Sequence, residues 1–247
     1  MCIFSGEVTS VSSTNIFARD VGGGRQVLAY EMTVAMKDAV AMVLPLPVPA
    51  VCGDDAVRFI DLSGCDDLFE QLLAAFPEPV WRGGMQPISG GAVAASAHIA
   101  VHEVGDYEAS FVPTLGDFRR LDPRFRLSDE LWAALPTYAD YGFAVFKLAK
   151  ADKWSPDHPI AFEFPRRDQG LFFPTVHVHG GVVHAQAHFD HVLYAQTTTV
   201  SHDGWRRSEQ AARHIVKTGD HAGLIDPEQH VYQRKLRGNY DNTDVRL

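Results

Sequence analysis

The chain has 247 residues, 46% of them apolar and 21% charged, which is the balance of a globular protein and excludes a disordered or collagen-like one. Lysine and arginine number 22 against 31 aspartate and glutamate, a net charge of −9 with histidine neutral. Such a surface repels phosphate backbones and anionic lipid, so neither nucleic acid nor a membrane is an expected partner.

Three cysteines, Cys2, Cys52 and Cys65, make no disulfide framework and fit a reducing compartment. No basic and apolar leader opens the sequence, and no apolar run approaches the ~20 residues of a spanning helix. The expected location is cytoplasmic.

In chain order, Ile3–Val11, Asn15–Arg19 and Gln26–Met36 read as strands, with Gly22, Gly23 and Gly24 as a turn. Val40–Leu46 is a further strand, stopped by a proline-rich run. Asp66–Phe76 reads as a helix, because Leu68, Phe69, Leu72, Leu73 and Phe76 form one apolar stripe. Trp81–Gly91 is a glycine- and proline-rich loop. Ala94–Val104 and Tyr107–Val112 form a candidate hairpin about Gly105 and Asp106. Leu115–Leu121 and Ser128–Leu135 are short helices, the second with Ser128 as N-cap.

Phe143–Leu148, Ile160–Phe164 and Leu171–His179 return to strand. Val182–Thr198 reads as one long strand and Trp205–Val216 as a helix. The last thirty residues are polar, and are expected to be extended or partly ordered. The fold class is α+β: antiparallel sheets with a few short helices in a single compact domain.

The densest chemistry lies in one short stretch. Five of the twelve histidines fall there: His177, His179, His184, His188 and His191. Gly180 and Gly181 between two alternating runs signal a two-residue hairpin turn, since both central residues need positive φ. That turn pairs His179 with Val182, Val178 with Val183 and His177 with His184. Alternation then puts Thr175, His177, His179, His184, Gln186, His188 and Asp190 on one face. Val176, Val178, Val183, Ala185, Ala187, Phe189 and His191 take the other.

Imidazoles from two adjacent strands can converge on a single metal ion. His177, His179 and His184 are therefore the candidate ligands of one transition-metal ion: Fe, Cu or Zn. Gln186, His188 and Asp190 are candidate partners that orient the ligands, Asp190 also a candidate catalytic group. The alternatives are a solvated polar face and an acid–base site without metal. His98 and His102 share one face of another strand, where they either extend the cluster or sit hydrogen-bonded and exposed.

Removal of Met1 would leave Cys2 with a free α-amine, a pairing of thiolate and base known from nucleophilic catalysis. Cys2, a strand, and then Phe17, Ala18, Arg19 and Asp20 resemble the start of the cysteine N-terminal nucleophile hydrolases, the choloylglycine hydrolase and penicillin V acylase group. That resemblance implies attack by Cys2 with Arg19 against it, and covers about twenty residues. In place of the family's acidic residue beyond the arginine stand Val21, Gly22 and Gly23. A broader likeness spans about the first 150 residues. The early cysteine, the segment Leu44, Pro45, Leu46, Pro47, Val48, Pro49 and the run Val104, Gly105, Asp106, Tyr107 resemble an uncharacterised bacterial domain family; a shared fold is implied and no activity.

The leading expectation is thus a metal-dependent enzyme acting on a small organic molecule, inclined to Fe or Cu oxidoreductase chemistry with Zn-assisted hydrolysis open. A Cys2 amidohydrolase and a non-catalytic binding domain are the alternatives.

Overall fold

The computed structural model describes residues 3–77, 102–104, 107–154, 158–198, 203–217 and 221–247. The strands of the first half are β1 (Ile3–Phe4), β2 (Ser10–Gly22), β3 (Arg25–Met36), β4 (Val40–Leu46), β5 (Arg58–Ile60), β6 (His102–Val104) and β7 (Tyr107–Val112). They continue as β8 (Gly142–Leu148), β9 (Ala151–Trp154), β10 (Ile160–Pro165), β11 (Phe172–Phe173), β12 (Val178–His179), β13 (Val182–Val183), β14 (Gln186–Gln196), β15 (Arg206–Ala211), β16 (His230–Asp241) and β17 (Val245–Arg246). The α-helices among the described residues are α1 (Leu68–Ala74) and α2 (Asp129–Ala133), joined by short 3-10 turns. No helix among the described residues is long and apolar enough to cross a membrane.

One sheet runs β13-β12-β1-β4-β8-β7-β6, and a second runs β15-β16-β14-β2-β3-β10-β5 with β9 also on β3. Most pairings are antiparallel, as expected, but β1 with β12 and β14 with β2 are parallel.

Alternation explains how the second sheet is covered on both faces. On β3, Leu28, Tyr30, Met32 and Val34 join the core shared with the first sheet, while Val27 and Ala29 face α1. On β14 the split is Leu193 and Ala195 against Val192 and Tyr194. In the first sheet, Phe146 meets Phe162 of the second at 6.0 Å. Three residues earlier, on the opposite face, Phe143 packs on Phe118 at 5.1 Å and Trp132 at 5.0 Å. The layers are therefore helical segments, sheet, sheet, and α1.

Several boundaries match the sequence reading: β4 is the expected Val40–Leu46, and Ser128 caps α2 by accepting the Leu131 amide at 3.2 Å. The helix expected over Trp205–Val216 is instead β15 followed by a 3-10 turn at Ala212–His214. Its buried residues Trp205, Ser208, Ala212 and Val216 have helix-like spacing because a register shift lies between Arg207 and Ala211. Val182–Thr198 divides into β13 and β14, and Leu171–His179 into β11 and β12. The Trp81–Gly91 loop, His98 and most of the Ala94–Val104 strand lie outside the described residues. The polar C-terminal stretch contains β16, which lies between β14 and β15.

Candidate functional site

The hairpin forms in the expected register, His179 opposite Val182 and Val178 opposite Val183. Gly180 and Gly181 take φ of 60° and 71°, which a side chain would strain. The ladder then stops. Asn242 takes over, its Oδ1 accepting the His177 amide at 2.7 Å. Its Nδ2 donates to the carbonyls of His177 at 2.8 Å and His184 at 2.9 Å. Beyond that bridge the chain leaves the first sheet and enters the second as β14.

This crossover decides where the histidines go. The face expected to carry His177, His179, His184 and His188 is broken at His184, because β12 and β14 belong to different sheets that stack on one another. His177 is buried at 8% exposure, while His184 faces solvent. The His177 ring packs on Phe189 at 4.3 Å and stacks on His191 at 5.1 Å, both assigned by alternation to the opposite face. His179 lies 5.8 Å from His177 on one side and 5.8 Å from Phe4 on the other. The result is a seam of stacked rings between the sheets.

Desolvation governs the charge state there. Burial, reinforced by the neighbouring histidines, pushes His177 down to about 2. Burial takes His191 down to about 3 against the opposing pull of Asp190, and lowers His179 as well. The rings are therefore neutral. The Nε2 of His177 is buried with no hydrogen-bond partner. His191 is fully buried, so no substrate reaches its ring.

The remaining candidates are held by the scaffold. Asp190 accepts the Ser13 amide at 2.7 Å and lies 3.5 Å from His191 Nδ1. Ser13 has a φ of 56° at a register shift between β2 and β3, so Asp190 caps an irregular turn of backbone. Partial burial raises its carboxyl, and the His191 and Ser13 contacts more than offset this, so the net direction is down. Gln186 donates to Asp241 at 3.3 Å and His188 contacts Asn239 at 3.2 Å, both at the surface. Arg19 donates to the carbonyls of Leu224 at 2.8 Å and Gly223 at 2.6 Å, and burial lowers it. Cys2 lies outside the described residues, as do the side chains of His98 and His102.

Two anchors of the seam escaped the sequence reading, Asn242 and Asp244. The half-buried Asp244 accepts from Thr175 N at 2.8 Å, Val176 N at 3.1 Å and the Tyr138 hydroxyl at 2.7 Å. Burial raises both Asp244 and Tyr138. The only available signal was the run of turn-forming polar residues Asp241, Asn242, Thr243 and Asp244.

Among the described residues, no group of three or more His, Cys, Asp and Glu is placed to hold a metal ion. No family model matches the chain, and no curated protein matches its sequence. Solved structures do match its fold. Baculovirus P35 aligns with a TM-score of 0.52 and 15% identity, over 100% of this chain and 99% of that one. A mutated baculovirus P35 after caspase cleavage aligns at 0.50 and 15%, over 96% and 99%.

These findings correct the expected function. The metal-dependent enzyme, with its oxidoreductase or hydrolase chemistry, is overturned by a fold shared with P35 and by histidines that form a packed, neutral seam where converging ligands were expected. The small-molecule substrate is corrected too, since what acts on P35 in the second of these structures is another protein, a caspase. At 15% identity the chain shares the fold of P35.

Proposed function

We propose that this chain is a non-catalytic protein whose partner is another protein, a cysteine protease of the caspase class that binds it and cuts it. The observation that supports this reading is the end-to-end fold match to P35, which extends to P35 after caspase cleavage. The neutral, buried seam agrees with it, because its rings offer no nucleophile and no accessible acid–base pair.

The test mixes the purified chain with a panel of active caspases. Intact mass maps any cut, size-exclusion chromatography detects a complex, and a fluorogenic peptide reports the remaining protease activity. The expected result is a single cut with at least one caspase, followed by a complex that lowers its activity. A chain left whole and unbound by every member of the panel overturns the reading.

A further inference from the structure

The β15 edge of the second sheet differs from the rest of this acidic molecule. Together β15 and β16 carry Arg206, Arg207, Arg234, Lys235 and Arg237 against Glu209 and Asp241. Five of the chain's 22 lysines and arginines thus stand on two neighbouring strands of a protein with net charge −9. Arg207 and Arg234 are diagonal neighbours on one face, since Arg207 is opposite Tyr232. Arg206, opposite Gln233, shares the other face with Lys235 and Arg237.

Several arginines elsewhere in the fold are paired with a carboxylate. At the opposite edge, on β5, Arg58 reaches Glu163, which also holds Arg25. Arg166 meets Asp20, Arg167 meets Asp140, and Arg246 meets Asp168. Arg207, Arg234 and Arg237 have no such side-chain partner among the described residues. Asp190 lies opposite Arg237 in the ladder, yet its carboxylate is engaged by Ser13 and His191.

The strand beneath these charges is the end of its sheet among the described residues, and its Arg206, Arg207, Glu209 and Gln210 are exposed. An edge strand offers unpaired N–H and C=O groups to another extended chain. We infer that β15 accepts an acidic, extended peptide segment of a protein partner as an added strand. Carboxylates two residues apart on the added strand would share one face and meet Arg207 and Arg234 there. Charge complementarity specifies the occupant: a strand of alternating acidic and β-branched residues places anions where the uncompensated arginines stand, while the ladder supplies the rest of the affinity. This surface is independent of the caspase reading and is tested without any protease.

The test is fluorescence anisotropy with three labelled probes: a ten-residue alternating Glu-Val peptide, an alternating Glu-Pro peptide of equal charge, and a single-stranded oligonucleotide of the same charge. Proline cannot donate to a ladder, so the second probe keeps the charge and removes the strand. The Glu-Val peptide is expected to bind at least tenfold more tightly than either other probe. It should lose at least tenfold in affinity to the double variant Arg207→Glu with Arg234→Glu, and nothing to Arg119→Glu, an exposed site elsewhere. Circular dichroism on each variant establishes folding, and Arg207→Gln provides a milder second variant.

Equal binding of Glu-Val and Glu-Pro overturns the added strand. Preference for the oligonucleotide overturns the peptide. No binding of Glu-Val, or binding that survives charge reversal, leaves these arginines as charges that keep the edge from pairing, and overturns the proposal.

Discussion

The histidine seam, at β12 and β14, and the arginine rim, on β15 and β16, meet where β14 pairs with β16, and they treat polar side chains in opposite ways. In the seam, imidazoles are stripped of water and packed ring on ring, so they are neutral and behave as aromatic core. At the rim, guanidinium groups remain solvated and several lack a carboxylate. Clustering of polar residues in the sequence therefore does not indicate which cluster is available to a partner. Burial does, and burial follows from which sheet each strand joins.

Acid breaks this comparison most strongly. An unfolded imidazole takes up a proton below pH ~6.5. In the folded chain, His177 and His191 do so only near about 2 and about 3. The unfolded state therefore binds more protons in that window. The stability these rings contribute is complete above pH ~6.5 and declines as pH falls toward those values, by up to about 1.4 kcal/mol per pH unit for each ring. Urea unfolding at a series of pH values measures the slope. His177→Phe keeps a packed ring and removes one titrating site, so its acid slope should be shallower than that of the parent chain. An unchanged slope would place the proton uptake elsewhere.

Next in size is the anchor of the seam. Asp244→Ala removes the acceptor of two backbone amides and one buried hydroxyl. Donors left buried without a partner make a loss of about 3 to 5 kcal/mol the expected result in denaturant titration. A loss below about 1 kcal/mol would mean that water or relaxation satisfies those donors.

The rim should give the smallest response. Arg207→Glu changes an exposed side chain without an ion pair among the described residues, so its unfolding free energy should stay within about 0.5 kcal/mol of the parent. A larger shift would show that the rim is part of the scaffold.

Local signals in the sequence carried some of this and not the rest. Gly180 and Gly181 specified their turn and the two rungs beside it, because positive φ at both is a local demand. The stripe Leu68, Phe69 and Leu72 specified α1 for the same reason. The faces beyond His184 were not legible. They depend on β14 pairing with β16 and β2, partners far away in the chain, and on Asn242 and Asp244 replacing a ladder at 175–177. Trp205–Val216 misled because a register shift in an edge strand imitates helical spacing. Function was less legible still, since the histidine pattern is compatible with a metal centre until the rings are seen stacked between sheets.

The parallel pairing of β2 with β14 also bears on how the chain reaches this state. Asn15 lies beside Val192 and Arg19 beside Gln196, so the middle of the second sheet joins segments at opposite ends of the sequence. Such contacts are entropically late, because the intervening loop must close before any of them forms. Until Gln186–Gln196 arrives, the strand pair of β2 and β3 presents an open edge to any other chain nearby. A nascent molecule therefore passes through a period in which a strand that ends up inside the sheet has an open, adhesive edge. The speed of closing that single parallel seam sets the balance between folding and self-association.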